Sequence, residues 1–174
     1  AFSFLKDGQT VSFGGSMTLE DTGMLTALRH DPGITLLDRA QAKTPEETKK
    51  IYHDALSSDF YFMSTNAITK DGELVNIDGT GNRVAALIYG PEHVIVMAGM
   101  NKVAANVDEA LSRVHGTATP MNCKRLGKNT PCSATGVCSD CLSLDCICNQ
   151  VVITRRSGIE GRIKVILIGE ELGY

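Results

Sequence analysis

The six cysteines carry the most distinctive chemistry of this chain, because all of them lie between positions 123 and 148 of 174 residues. Cys138 and Cys141 form a C-x-x-C pair, flanked by Cys132 and Cys148. Four thiolates hold Zn²⁺ in a closed tetrahedron or ligate a four-iron cluster. This spacing suits both and matches neither the usual ferredoxin run nor a standard zinc finger. We therefore predict a zinc or iron–sulfur site, with a disulfide or free thiols as the alternative.

The position of the cysteines also indicates a cellular compartment. Disulfide frameworks are typical of small secreted domains, whereas this cluster sits at one end of a chain with 43% hydrophobic residues and an adequate core. A thioredoxin-type redox pair is disfavoured because Cys138 does not begin a helix after a strand. We expect a reducing compartment, the cytoplasm.

A second chemically useful group occupies positions 78–83, Asp-Gly-Thr-Gly-Asn-Arg, directly before a short predicted helix that starts at Val84. Glycines that lead into a helix leave backbone N–H groups free to hold an anion, and Arg83 adds a positive charge. A plain hairpin and a capped helix without any ligand are the alternative. A dinucleotide-binding fingerprint is disfavoured because Val84 stands where Gly or Ala is needed, so no nucleotide cofactor motif is identified.

The residues before this loop predict a β-hairpin. Asp71-Gly72 lies between two β-capable runs and is the strongest local signal for a two-residue turn. The register that this turn implies has three pairs: Lys70–Glu73, Ile68–Val75 and Thr65–Asp78. Side chains alternate across a strand, so we expect one polar face (Thr65, Thr69, Asn76, Asp78) and one apolar face (Ile68, Val75, Ile77).

Two carboxylates are candidates for acid–base chemistry, Asp78 and Glu170, because each would follow the end of a predicted strand. For Glu170, a solvated acid in a turn is the alternative. Ser16 follows Gly14 and Gly15 at a strand-to-helix turn, which favours a phosphate-holding residue or a helix cap over a nucleophile. The four histidines occur singly and are interpreted as surface residues.

Strands and helices alternate along most of the chain, which indicates an α/β fold with an open, mainly parallel sheet and helices on both faces. Apolar runs predict strands at 10–13, 34–37, 60–63, 94–97, 151–154 and 163–168, the last two closing the same sheet. Helical patterns predict helices at about 19–29, 45–56 and from a cap at Asn101 through Val114. Ligands bind beyond the carboxyl ends of such strands, so we expect one cleft where five post-strand segments converge: 14–16, 64–66, 78–83, 99–101 and 169–170.

Bulk properties limit the classes of partner. The length fits a single domain over residues 1–174, within which 123–149 is the cysteine-rich segment. A formal net charge of −3 gives no reason to expect nucleic acid, and no apolar run approaches the roughly 18 residues of a membrane span. The sequence leaves open whether the chain forms a homo-oligomer.

Several long motifs resemble the LUD (lactate utilisation) domain family: GGSMTLEDTG, AKTPEE, STNAITKDGELVNIDGTGNRVAALIYGP, GMNKV, TPCSATGVCSDC and VILIGEELGY. The resemblance implies a fold like that of glucosamine-6-phosphate deaminase, ribose-5-phosphate isomerase and the CoA-transferases. By that analogy a small anion would bind at Gly14, Gly15, Ser16, Thr65, Asn66, Asp78, Gly79, Thr80, Gly81, Asn82 and Arg83. Family members usually carry a further helical lead-in before the position of Ala1.

The same resemblance implies a role in the oxidation of lactate or a related small carboxylate, beside separate iron–sulfur protein subunits. The family's cysteine pattern corresponds to Cys132, Cys138, Cys141 and Cys148, and Cys123 and Cys146 are additional. Two other functions stay open at this stage. One is a stand-alone sugar-phosphate or CoA-ester enzyme with structural zinc, and the other is a non-catalytic binding or regulatory subunit.

Overall fold

The computed structural model describes all 174 residues and contains nine strands and seven α-helices. The strands are β1 (Thr10–Phe13), β2 (Thr35–Leu37), β3 (Phe60–Met63), β4 (Ala67–Thr69), β5 (Leu74–Asp78), β6 (His93–Gly99), β7 (Val103–Ala104), β8 (Gln150–Thr154) and β9 (Ile163–Ile168). The helices are α1 (Met17–Asp21), α2 (Met24–His30), α3 (Pro45–Ala55), α4 (Asn82–Ile88), α5 (Val107–Arg113), α6 (Thr119–Arg125) and α7 (Pro131–Thr135).

The larger sheet has five parallel strands in the order β2-β1-β3-β6-β9. Side chains of its central strand β3 alternate between two cores. Phe60 and Phe62 pack with α1 and α2 on one face, and Tyr61 and Met63 pack with α3, α4 and the second sheet on the other. Burial on both faces explains why β3 and β6 are continuous apolar runs. The predicted α/β fold with a mainly parallel sheet and helices on both faces is confirmed.

A second, four-stranded sheet in the order β7-β4-β5-β8 corrects one prediction. Residues 151–154 do not close the main sheet. Instead β8 pairs antiparallel with β5, from Gln150 opposite Asp78 to Thr154 opposite Leu74. The backbone N–H of Asn149 donates to the carbonyl of Asp78 at 3.0 Å and starts this ladder. An apolar run predicts a strand but not its partner, so the sequence did not distinguish the two sheets.

The hairpin of β4 and β5 has a register shifted by one residue from the prediction. Ala67 lies opposite Val75 and Ile68 opposite Leu74, which leaves a three-residue loop at 70–72. Gly72 takes the left-handed conformation that such a loop needs, with φ +88°. The shift changes the faces, because Ile68 joins the second core while Val75 packs toward α5 with Ala67 and Ile77.

Two predicted helices also differ from the structure. The helix expected at 19–29 is divided into α1 and α2 by Gly23, whose φ of +69° interrupts the helical backbone. The helix expected after Asn101 begins only at Val107, because Met100–Lys102 forms a 3₁₀ turn and Val103–Ala104 pairs with β4. Asn106 is the actual cap, since its side chain accepts a hydrogen bond from the Glu109 N–H at 3.0 Å. A π-helical turn at Val114–Ala118 then joins α5 to α6.

None of the helices has the length and apolar character required to cross a membrane. After α7 the chain runs without helix or strand from residue 136 to 149. This part of the cysteine-rich segment is irregular.

Candidate functional site

A cavity of about 480 Å³ lies where the segments following β1, β3, β5 and β6 meet α6 and the cysteine-rich segment. It is lined by 24 residues. Nine of the eleven predicted anion-binding residues are among them: Gly15, Ser16, Thr65, Asn66, Asp78, Gly79, Thr80, Asn82 and Arg83. Three of the five predicted post-strand segments therefore converge here, and Lys102 comes from just beyond a fourth.

Three predicted residues lie outside the cavity wall. Gly14 packs behind it, since a Cβ at that position would approach the Arg83 Cδ and the Tyr61 hydroxyl at 3.2 Å. Gly81 has φ +91° and starts α4. Glu170 is exposed and does not line the cavity, so its proposed acid–base role gains no support from its position.

The cavity wall is strongly positive although the whole chain carries a net charge of −3. Its charged residues are one acid, Asp78, and five bases: Arg39, Arg83, Lys102, Arg125 and Lys128. A concave, low-dielectric surface concentrates the field of such charges. The arrangement is suited to binding a small anion.

Asp78 uses its carboxylate to shape the loop that follows β5. Its Oδ1 accepts hydrogen bonds from the N–H groups of Thr80 at 3.1 Å and Gly81 at 2.7 Å. Its Oδ2 lies 3.2 Å from the Arg83 Nε. Because both oxygens are engaged, these contacts favour a positioning role for Asp78 over the general-base role that the sequence suggests.

Arg83 lines the cavity, but its Nη1 and Nη2 atoms donate hydrogen bonds to other groups of the protein. Its Nη1 donates to the Ser64 carbonyl at 3.2 Å and to the Asn76 side chain at 2.5 Å. Its Nη2 donates to the Asn66 side chain at 3.2 Å and to the Ile77 carbonyl at 2.9 Å. Arg83 therefore ties β3 to β5 and supplies fixed positive charge, while direct contacts to a ligand are left to other residues.

Lys102 is the most unusual group in the wall. It is only 4% exposed, and its Nζ donates to the Ser64 hydroxyl at 3.1 Å. No Asp or Glu carboxylate lies within 4.0 Å of this nitrogen. Burial above all, together with the positive charges of Arg113 and Arg83, lowers the pKa of Lys102 to about 7 against a weaker opposite effect of Asp21. With a pKa of about 7, this amine is present in both its charged and its neutral form near neutral pH, and the charged form has no protein counter-ion.

The remaining cations of the wall are held by aromatic and polar side chains. Arg39 donates to the Tyr52 hydroxyl at 3.1 Å, and Arg125 donates to the Tyr174 hydroxyl at 2.5 Å and to Asn122 at 2.8 Å. None of these partners is charged, so the guanidinium charges remain available to an anion. Lys128 lies 3.8 Å from the Asp145 carboxylate.

The cysteine-rich segment forms one wall of the cavity. Ile147 packs on Gly79, where an added Cβ would approach the Ile147 Cα at 3.2 Å, and the Asn149 side chain donates to the Gly79 carbonyl at 2.8 Å. Cys146 lines the cavity. The sequence had marked this cysteine as additional to the predicted ligands.

The four predicted metal ligands lie beside four different polar side chains. The structure gathers no group of three or more His, Cys, Asp or Glu side chains that could hold a metal ion. Each predicted ligand instead has its own polar neighbour: Thr130 for Cys132 at 3.3 Å, His115 for Cys138 at 3.4 Å, Ser143 for Cys141 at 3.5 Å and Thr119 for Cys148 at 3.9 Å. Zinc or an iron–sulfur cluster stays a prediction of the sequence.

Cys123 and Cys148 each have other cysteines among the groups that affect their pKa. Burial raises the pKa of the Cys123 thiol, and the nearby thiols of Cys132 and Cys146 add to that effect. Burial above all, with smaller contributions from Cys146 and Cys123, raises the pKa of Cys148 to about 12 against an opposite effect of the Thr119 hydroxyl. The Sγ of Cys146 also accepts a hydrogen bond from the Cys148 N–H at 3.4 Å.

Sequence reasoning missed several residues of the wall, Lys102 above all. Lys102 belongs to the GMNKV motif and follows a buried strand, so its position beyond a strand end was a usable signal. Arg39, Arg125 and Tyr174 gave no comparable signal, because they reach the cavity from a 3₁₀ turn, a helix and the C-terminal residues.

The family model of the LUD domain matches residues 2–168 of the chain. Among curated proteins there is no match.

Three solved structures are among those that match the chain. A DUF162 family protein from Deinococcus radiodurans aligns with TM-score 0.40 and 12% identity over 93% of this chain and 88% of that one. The eIF2B delta from Chaetomium thermophilum aligns with TM-score 0.37 and 21% identity over 63% of this chain and 47% of that one. Ribose 5-phosphate isomerase from Plasmodium falciparum aligns with TM-score 0.35 and 14% identity over 59% of this chain and 48% of that one. The chain spans about half the length of the last two proteins.

Proposed function

The chain belongs to the LUD domain family, and from this premise we propose that it binds a small carboxylate in the cavity. In this proposal it is a cytoplasmic protein that acts in the utilisation of lactate or a related compound. The family supports a lactate-utilisation role in general terms. The ligand and the step in which the protein acts are the proposal.

One observation supports anion binding more than any other, the buried Lys102 ammonium that lines the cavity without a carboxylate partner. An isolated buried charge costs several kcal/mol, so buried charges in proteins are normally paired or neutral. A bound anion would supply the missing counter-ion. Arg39 and Arg125, which contact only uncharged partners, add to the attraction.

The size of the cavity fits this class of ligand. Its volume of about 480 Å³ is within the range of roughly 300–1,000 Å³ that is typical of small-molecule sites. Lactate or pyruvate would leave space for water or for a second reactant. The volume also admits a sugar phosphate, which keeps the stand-alone phosphate-ester enzyme as the alternative function.

Calorimetry with a panel of anions tests the proposal. We expect L-lactate or pyruvate to bind, and we expect Lys102→Met to weaken that binding about tenfold or more, because a charge-assisted contact contributes roughly 1.5–3 kcal/mol. Lys50→Met is the matched control, since Lys50 is exposed and pairs with Asp54 on α3, away from the cavity. Absence of binding by both carboxylates would contradict the proposal.

The same panel separates the alternatives. Binding and turnover of a phosphate ester or CoA ester, with no affinity for lactate or pyruvate, would favour the stand-alone enzyme. Carboxylate binding without any turnover, even with iron–sulfur partner proteins added, would favour a non-catalytic binding subunit. Lactate-dependent reduction of such partners, lost in Lys102→Met, is the result expected from a role in lactate oxidation.

Zinc or an iron–sulfur cluster at Cys132, Cys138, Cys141 and Cys148 is a separate proposal. Protein purified without oxygen should contain zinc, or iron with sulfide, and Cys138→Ser should remove it because a four-ligand site loses a quarter of its donors. Cys123→Ser is the control that should retain the metal. Metal-free protein with six free thiols would exclude both cofactors.

A further inference from the structure

We propose that Lys102 is a nucleophile that condenses with the carbonyl of a small 2-oxo acid in the cavity and forms a Schiff base. The inference rests on the proposed function and names its substrate class. It requires three features of the site: an accessible uncharged amine, a surface that holds a carboxylate, and an arrangement in which the amine is not sequestered by an acid.

The position of Lys102 meets the first requirement. Lys102 is only 4% exposed, yet it is among the residues that line the cavity a ligand would occupy. A lysine becomes nucleophilic when desolvation or a neighbouring cation favours its neutral form. Both causes act here, because Lys102 is buried and the guanidinium groups of Arg113 and Arg83 are near it.

The surroundings of the Nζ meet the other two requirements. Its hydrogen-bond partner is the Ser64 hydroxyl at 3.1 Å, which in turn lies 3.3 Å from the Thr18 hydroxyl. Asp21 is the only acid that affects its charge, and Asp21 is exposed and beyond ion-pair distance. Arg39 and Arg125 line the same cavity and can hold a carboxylate there.

The condensation needs no oxidant, reductant or additional cofactor. The amine lone pair forms the N–C bond to the carbonyl carbon, and the carbonyl π electrons move to the oxygen. The oxygen then leaves as water with both protons of the neutral amine, and the C=N bond forms. A 2-oxo acid is the two-electron oxidation product of a 2-hydroxy acid such as lactate, so the proposed substrate class agrees with the proposed function.

Trapping with borohydride tests this inference on the unmodified protein. With saturating pyruvate, reduction of the imine should leave a 1-carboxyethyl group on Lys102, located by mass spectrometry of peptides. Lys50, which is exposed and ion-paired on α3, should remain unmodified and serves as the internal control. Lys102→Met, checked for its fold by circular dichroism, should show no trapped adduct above background.

The pH dependence provides a second measurement. The neutral fraction of an amine with a pKa of about 7 rises roughly tenfold between pH 6 and pH 8 and then levels off. The trapping rate at saturating pyruvate should follow this curve, whereas an ordinary lysine with a pKa of about 10.4 continues to gain neutral form above pH 8. The charged groups that set this dependence are Arg113, Arg83 and Asp21.

The possible failures are distinguishable. If pyruvate binds by calorimetry but Lys102 is not modified, or Lys50 is modified as much, the Schiff-base inference is wrong and the proposed function stands. If neither pyruvate nor lactate binds, the proposed function fails and the inference fails with it. A trapping rate that rises without a plateau also overturns the inference.

Discussion

Arg83 shows how a single residue connects the candidate site to the core. All three guanidinium nitrogens are engaged, by the Asp78 carboxylate, two side-chain amides and two backbone carbonyls. We predict that Arg83→Met lowers the free energy of unfolding by about 3–5 kcal/mol, because it leaves a buried carboxylate unpaired. Urea unfolding measures the change.

The control for this prediction is Arg125→Met, whose side chain is exposed and contacts Tyr174 and Asn122. It should cost less than about 1 kcal/mol while weakening anion binding. Equal losses of stability in the two variants would mean that Arg83 is an ordinary cavity residue and not the link between β3 and β5.

Lys102 gives the stability of the protein a defined pH dependence. Its pKa is lowered to about 7 in the folded state, below that of an unfolded lysine, so between these values the unfolded chain binds more protons. Stability should therefore rise with pH above 7, by up to about 1.4 kcal/mol per pH unit. The measurement is the unfolding free energy of wild type and of Lys102→Met at each pH. The value for wild type minus the value for Lys102→Met should increase from pH 7 to pH 9. A difference that is constant with pH would contradict this prediction.

At the level of elements, the C-terminal residues close the cavity beside Lys102. Asn101 accepts from the Leu172 N–H at 3.2 Å and donates to the Gly173 carbonyl at 3.1 Å, and Tyr174 lines the cavity wall. We predict that Asn101→Ala costs about 1–3 kcal/mol and releases these residues, because a lost partner leaves polar groups unpaired. Greater access of water to Lys102 should then raise its pKa, moving the plateau of the borohydride trapping curve to higher pH.

The control for the C-terminal contact is Asn129→Ala, since the Asn129 side chain is exposed and makes no hydrogen bond. This variant should leave both stability and the trapping curve unchanged. An unchanged trapping curve in Asn101→Ala, together with lost stability, would show that the C-terminal residues stabilise the fold without shielding Lys102.

Some of the secondary-structure elements and their pairings could be predicted from the sequence, and others could not. Apolar runs located the main strands, and glycine-rich segments at strand ends located most of the cavity, because both signals are local. The hairpin register and the partner of β8 were not predictable, since a shift of one residue at Gly72 or a different pairing of residues 150–154 preserves the same apolar pattern. Arg39 and Arg125 join the site through long-range packing alone, which a single sequence does not encode visibly.

At the scale of the whole molecule, the cavity lies between the two sheets. The segments after β1 and β3 reach it from the parallel sheet, and the loop after β5 reaches it from the second sheet. Helix α6 and the cysteine-rich segment complete the wall. A ligand that fills this space would contact segments of both sheets, which Arg83 already connects through its hydrogen bonds.

Hydrogen exchange measures this connection directly. We predict that saturating ligand slows amide exchange together in residues 14–17, 64–66 and 78–83 and in α6, because opening any one of these walls would release the ligand. Strand β2 lies at the far edge of the parallel sheet and lines none of the cavity, so its exchange should change least. Lys102→Met should lose most of the protection at the same ligand concentration. Protection limited to one sheet, or equal protection of β2, would show that the ligand binds elsewhere or stabilises the protein without bridging its two sheets.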